Sequence, residues 1–284
     1  AVLDDTLEVP DTWEVSLSVG KDKKATWERL IAEKKLGALA LLRNLRAMQE
    51  VGVDMALIEE ALQGMNARRV LPFRFITAAR YAPRLEPVLE QALFKVTVGL
   101  SLLPGKTILI VDVSGSMYGA SLSGRSDLTR ADVACSLAVL AREMCQEPVI
   151  YATAGDDGRR IHATALVPAR RGFALRDAVY AQCKPLGGGG IFLKQVIDFV
   201  RDKEKTADRI IVITDEQDCD LVNKPGSAQP FGVNNYLINV ASNQNGIGYG
   251  AWTHIDGWSE AVLRYIAAVE GEASNASDDS EDAD

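Results

Sequence analysis

Histidine and cysteine are scarce in this chain of 284 residues, which holds two of the first and four of the second. Cys135, Cys145, Cys183 and Cys219 form no C-x-x-C pair, and with only His162 and His254 beside them a structural zinc site is not expected. Cys135 and Cys145 fall within an apolar helical pattern and read as buried free thiols. Nothing calls for an oxidising compartment, so a cytoplasmic protein is expected. No stretch reaches about 18 uninterrupted apolar residues, which argues against a membrane span. The opening Ala1-Val2-Leu3-Asp4-Asp5 lacks the basic start and apolar run of a secretory signal. Phosphate loops of the forms G-x-x-x-x-G-K-[ST] and G-x-G-x-x-G are missing, and the glycine run 187–190 carries no lysine. Neither histidine is tied by a motif to a Ser or Cys nucleophile. The expectation is a protein that is not an enzyme.

What is present is a globular composition, 47% hydrophobic and 25% charged, in a chain long enough for one large or two ordinary domains. The net charge of −8 has a single source. From Asp256 onward nine acids face one base, Arg264, so everything before that point sums to zero. The acidity therefore says little about what the folded body binds. Residues 271–284, rich in Ser, Asp and Glu and without an apolar period, are expected to form a disordered acidic tail.

Residues 24–100 read as helical throughout. Trp27, Leu30 and Ile31, then Leu36, Leu39, Leu42, Leu45 and Met48, recur mostly three or four apart. Ile58, Leu62 and Met65 mark a third helix, Pro72 can open a fourth that Pro83 ends, and residues 85–96 carry a fifth. Short helices in succession predict a solenoid of helical repeats over residues 1–103. The pattern then changes. Thr107-Ile108-Leu109-Ile110-Val111 is a β-branched apolar run suited to a buried parallel strand. Further strands are expected at 148–152, 161–166, 209–214 and 236–240, with helices at about 128–145, 191–203 and 259–269. This alternation specifies a doubly wound, mostly parallel α/β sheet over residues 104–270.

Two strand ends are loaded with oxygen. The first strand runs into Asp112, followed by Ser114 and Ser116, and alternate residues of an extended loop face one side. The later strand ends Ile213-Thr214-Asp215, which places a second carboxylate at equivalent height. One or two carboxylates, two hydroxyls and room for water suit a hard divalent cation, magnesium above others. The candidate metal ligands are thus Asp112, Ser114, Ser116 and Asp215.

Asp112-x-Ser114-x-Ser116 after one apolar strand, with Thr214-Asp215 after another, resembles the metal-ion-dependent adhesion site (MIDAS) of von Willebrand factor A domains. The resemblance implies their Rossmann-like fold. There is one departure: the family's Pro-x-Gly-Gly-Thr loop reads Pro185-Leu186-Gly187-Gly188-Gly189-Gly190, so the threonine slot falls on Gly189 or Gly190. Thr129 is no substitute, because it reads as the cap of the helix that follows. The helical part narrows the choice. Ala40-Leu41-Leu42-Arg43-Asn44-Leu45, and then Ala67-Arg68-Arg69-Val70-Leu71-Pro72-Phe73, resemble the TROVE module of Ro autoantigen-type proteins, with Leu71 where that family has His. The resemblance implies a HEAT-like helical array followed by an A domain. It also implies binding of Y-type small noncoding RNA and of single-stranded ends of misfolded RNA within a ribonucleoprotein, sometimes with an exoribonuclease, and without a membrane. Because only the last part of the family's helical ring is present, further copies of the chain or an N-terminal helical chain are expected to complete it. Over residues 21–100 fourteen bases face nine acids, a mildly basic surface able to meet phosphates. Arg43, Arg68, Arg69 and Arg74 are the expected RNA contacts. The competing expectation is a metal-dependent protein-interaction module that binds no RNA.

Overall fold

The computed structural model describes residues 13–18, 22–67, 70, 73–98, 103–119, 121–123, 126–220, 228–241, 250–257, 259 and 261–281. The chain divides into two compact units, Ala1–Val98 and Gly99–Asp284. The division falls a few residues before the boundary at 103/104 expected from the sequence.

Among the described residues the first unit is built of helices: α1 (Trp13–Ser18), α2 (Lys23–Ala32), α3 (Ala38–Glu50), α4 (Met55–Gly64), α5 (Phe73–Tyr81) and α6 (Glu86–Thr97), with a 3-10 turn at Pro83–Leu85. Helix starts are set by local chemistry. Asp22 accepts from the backbone N–H of Lys24 at 2.9 Å and of Ala25 at 3.3 Å, and Asp54 accepts from Ala56 at 2.9 Å. Pro83 closes α5, as expected, and its fixed φ also opens the turn leading into α6. Pro72 lies outside the described residues. Helices α2, α4 and α6 pack in sequence, as do α3 and α5, which makes the two layers of a helical-repeat stack. Trp27, Leu30, Leu45, Met48, Ile58, Leu62, Phe75, Leu85 and Leu89 fill the space between them. Helix α1, which the sequence pattern did not reveal, stacks Trp13 on Trp27 with ring centroids 6.0 Å apart.

The second unit is built on one six-stranded sheet. Its strands are β1 (Leu103–Asp112), β4 (Cys145–Asp156), β5 (Ile161–Leu166), β6 (Arg209–Thr214), β7 (Asn234–Asn239) and β8 (Thr253–Asp256). A small hairpin, β2 (Ser121–Ser123) with β3 (Ser126–Thr129), stands apart from it. The spatial order is β5-β4-β1-β6-β7-β8, with every pairing parallel except β4 with β5. This is the doubly wound order in which the chain reverses direction across the sheet at β1. Helices α7 (Gly115–Gly119), α8 (Arg130–Met144), α9 (Gly172–Tyr180), α10 (Leu193–Glu204) and α11 (Ala261–Glu281) complete the unit. All expected strands and helices of this half are present. The pattern missed β8, whose Thr-His-Ile-Asp carries one aliphatic residue, and the helices α7 and α9. Thr129 caps α8 as expected, in a reciprocal box with Asp132. Cys135 and Cys145 are buried and unbridged.

The last helix runs from Ala261 to Glu281, into the segment from residue 271 that its composition led us to expect as an acidic tail. Composition argued for disorder, yet after Gly271 the segment holds neither glycine nor proline, so nothing local breaks the helix. Near its middle sits the main polar anchor of the unit. The buried Arg209 guanidinium on β6 holds the Glu270 carboxylate of α11 through both oxygens, Nε to Oε1 at 2.6 Å and Nη2 to Oε2. Its Nη1 donates to Thr107 Oγ1 of β1 at 2.8 Å, and Tyr236 of β7 donates to Glu270 Oε1 at 3.0 Å. Four elements thus meet on one ion pair. Removing one partner strands a buried charge. Glu270→Ala should lower unfolding free energy by about 3–5 kcal/mol, read as a shift in denaturant midpoint with unchanged slope. A midpoint within error of wild type would show that the pair contributes nothing.

Candidate functional site

The carboxyl ends of β1 and β6 lie side by side at the point where strand order reverses, with Val111 in register with Ile213. A crevice opens there in sheets of this topology. Asp112 closes β1 and is buried. Its Oδ1 accepts from the Ser114 N–H at 2.8 Å and its Oδ2 from the Thr214 hydroxyl at 2.7 Å. Ser114 Oγ lies 3.2 Å from Ser116 Oγ. The first three expected ligands therefore converge.

Asp215, the fourth, is also buried, but it is engaged otherwise. Arg130, the first residue of α8, donates from Nη1 to Asp215 Oδ2 at 2.5 Å. Gln217 adds its side-chain amide to Oδ2 at 3.1 Å and its backbone N–H to Oδ1 at 3.3 Å. Burial pushes the Asp112 carboxyl up to about 7, with the Asp215 charge adding to the shift and the Ser114 and Thr214 donors opposing it. Burial likewise raises Asp218 to about 6. Asp218 accepts from the Leu193 N–H at 3.1 Å at the start of α10.

The glycine run forms the third wall. Gly115 donates its N–H to the Gly189 carbonyl at 3.3 Å, and Gly189 donates to the Gly155 carbonyl at 3.0 Å. Gly187 and Gly188 take φ of 91° and 66°, left-handed backbone that favours glycine. A Cβ at Gly189 would stand 2.5 Å from the Gly155 carbonyl oxygen, and one at Gly190 would run into Cys219 Sγ. Of the two positions in the threonine slot, Gly189 is closed by backbone and Gly190 by the Cys219 side chain, and neither supplies a hydroxyl.

The resident magnesium expected from the sequence does not fit these residues. A guanidinium already neutralises one of the two carboxylates, the third loop offers no side-chain oxygen, and both oxygens of Asp112 are met by protein donors. Beside the expected ligands the structure brings in residues that the pattern did not single out. Glu216 is buried with φ of 60°, unusual for a long side chain, and its Oε1 meets His254 Nε2. His254 Nδ1 lies 3.8 Å from Asp256. Thr214 was legible as a strand end; Arg130 and His254 carried no signal, because they reach the site only through α8 and the short β8.

Of the expected RNA contacts, Arg43 is exposed on α3 and makes no ion pair among the described residues. Arg74 lies on the neighbouring α5, half-buried, with its guanidinium 4.6 Å from the Phe73 ring centroid. Arg68 and Arg69 lie outside the described residues. Charge is divided between the two helical layers. Helices α3 and α5 carry four arginines, Arg43, Arg46, Arg74 and Arg80, against one acid, Glu50. Helices α2, α4 and α6 carry four bases against five acids.

A helical-repeat unit followed by an A-type α/β unit is the class that this fold defines. The TROVE domain family model matches residues 6–183, more than half of the chain, and the chain belongs to that family. It is 28% identical over 162 residues to telomerase protein component 1 of Mus musculus, a match covering 55% of this chain and 6% of that protein. With telomerase protein component 1 of Rattus norvegicus it shares 36% identity over 90 residues, covering 30% and 3% respectively. The chain thus spans a small part of the length of these relatives. The crystal structure of the Deinococcus radiodurans RO (RSR) protein has the same fold, with a TM-score of 0.55 at 15% identity, covering 88% of this chain and 57% of that one.

Restoring the family's hydroxyl tests the glycine wall. Gly189→Thr should destabilise the unit by about 1–3 kcal/mol, the usual cost of forcing atoms into a filled site. Calorimetry with and without magnesium reads it, and a variant as stable as wild type would show that the loop has room to spare.

Proposed function

We propose that this chain is an RNA-binding component of a ribonucleoprotein, with the α3 and α5 layer as its phosphate-contacting face. The observation that carries the reading is the division of charge, since net positive arginine on one layer and net negative charge on the other gives a single face able to displace counterions from RNA. Arginine suits the task because its planar fork binds phosphate and stacks on bases. Membership of the TROVE family and the RO-protein fold support the same reading. The RNA we propose is a Y-type small noncoding RNA, or the single-stranded end of a misfolded RNA, held against Arg43 and Arg74. Arg68 and Arg69 belong to the same proposal through the sequence alone.

Further copies of the chain or an N-terminal helical chain are proposed to extend the helical stack into a ring. An exoribonuclease is a further proposed partner. A cytoplasmic site of action suits four cysteines that are free, two of them buried. No helix among the described residues is long and apolar enough to cross a membrane. The role is binding rather than catalysis, with the A unit as scaffold. The competing reading, a metal-bridged protein contact, requires Asp215 to coordinate an ion, and the Arg130 pair weighs against it.

Fluorescence anisotropy with a labelled hairpin RNA carrying a single-stranded 3′ end tests the proposal. Binding should weaken steeply between about 50 and 200 mM salt and be indifferent to EDTA. Arg43→Ala and Arg74→Ala should each weaken binding and reduce the log–log salt slope by about 1. No binding at low salt, or both variants binding as wild type does, would overturn it.

A further inference from the structure

We infer that Arg130 is a built-in counter-cation at the carboxyl edge of the A unit, standing where a divalent ion would serve, so that this site is assembled without metal. The inference is independent of RNA binding. Three observations carry it. First, the position of Arg130 is determined by its own helix. Thr129 and Asp132 cap α8 reciprocally, with Thr129 N donating to Asp132 Oδ2 at 2.7 Å and Asp132 N to Thr129 Oγ1 at 3.1 Å. That box holds the first turn of α8 in place, and Arg130 reaches Asp215 from it. The Arg130 side chain is 19% exposed and that of Asp215 is 0% exposed, so the pair is largely withdrawn from water and weakly screened. Second, the loops are already joined without an ion. Thr214 reaches Asp112 across β1 and β6, Gly115 reaches Gly189, and Gly189 reaches Gly155. In a metal-assembled site, coordination bonds would draw these three loops together; here hydrogen bonds do so. Third, the loop that would supply another side-chain oxygen has none: a Cβ at Gly189 meets the Gly155 backbone, and one at Gly190 meets the Cys219 side chain.

The electrostatics follow from these placements. Asp112 ends β1 and Asp215 follows the paired β6, both are buried, and the guanidinium that Arg130 places on Asp215 supplies a positive charge beside them. A guanidinium does not deprotonate at any physiological pH and is not lost by dilution or chelation. A divalent ion entering beside it would meet a fixed positive charge as well as a smaller net negative one. Arg130 and a metal are therefore alternatives.

Manganese binding by the full chain, followed by electron paramagnetic resonance, and melting in EDTA or in magnesium test this directly. Wild type should melt at the same temperature in both conditions and take up no stoichiometric Mn2+ at about 1 mM, the weak end of biological divalent sites. Arg130→Ala should melt lower in EDTA, regain stability in magnesium, and bind one equivalent of Mn2+ at least about tenfold more tightly than wild type, as expected when a nearby unit charge is removed. Asp215→Asn, which keeps the shape and removes the charge, should lose stability equally in EDTA and magnesium. One equivalent of Mn2+ on wild type that Ser114→Ala abolishes would overturn the inference. So would an Arg130→Ala chain that folds but gains neither metal binding nor magnesium-dependent stability, or an Asp215→Asn chain whose loss appears only in magnesium.

Discussion

Two carboxylates withdrawn from water at adjacent strand ends need compensation, and the upper face of the A unit is arranged around meeting that need at Asp112 and Asp215. Burial raises the cost of the charged form at Asp112, and the neighbouring charge raises it further. Each nearby feature supplies a donor or a charge. Ser114 turns its N–H back onto Asp112, Thr214 crosses from β6, and α8 begins where Arg130 can reach Asp215. The glycine run completes the enclosure by bringing backbone, rather than side chains, against the first loop. Order on this face is thus a consequence of charge burial, with apolar packing beneath it supplied by Ile108, Ile110, Ile210, Val212 and Leu237.

The opposite end of the sheet solves a similar problem differently. Arg209 is fully buried and is satisfied by Glu270, Thr107 and the Pro104 carbonyl, so its charge ties β1 and β6 to the last helix. One end of the sheet joins loops to one another and the other end joins the sheet to α11. In the helical unit, by contrast, ion pairs are exposed and local, such as Arg29 with Glu33 and Arg46 with Glu50, and contribute little. Helix packing there rests on aliphatic and aromatic burial. Arg43 on α3 is exposed, whereas Arg130 and Arg209 are held by buried carboxylates.

The alternation of β-branched runs with helical periods was sufficient to place β1, β4, β6, β7, α8, α10 and α11, because buried parallel strands have few sequence solutions, and the antiparallel edge strand β5 was placed by its short apolar run. Segments stabilised mainly by their neighbours were missed. β8 has little apolar character and exists by pairing with β7, and α9 carries a weak pattern in a segment that opens Arg171-Gly172. Asp112, Ser114 and Ser116 were legible because a strand end and alternate loop positions place them within one motif. Asp215 was found, but its partner was not.

Sequence alone determined the order of elements, the division into helical and α/β halves, the oxygen-rich strand ends and the glycine that replaces the threonine. All of these are properties of neighbours along the chain, where periodicity and side-chain chemistry act locally. Only the tertiary structure decided what Asp215 faces. Arg130 precedes it by 85 residues, and their meeting depends on how α8 packs on the sheet, which no local pattern encodes. A motif that reads as a cation site along the chain thus becomes, once folded, a site that already holds its own cation.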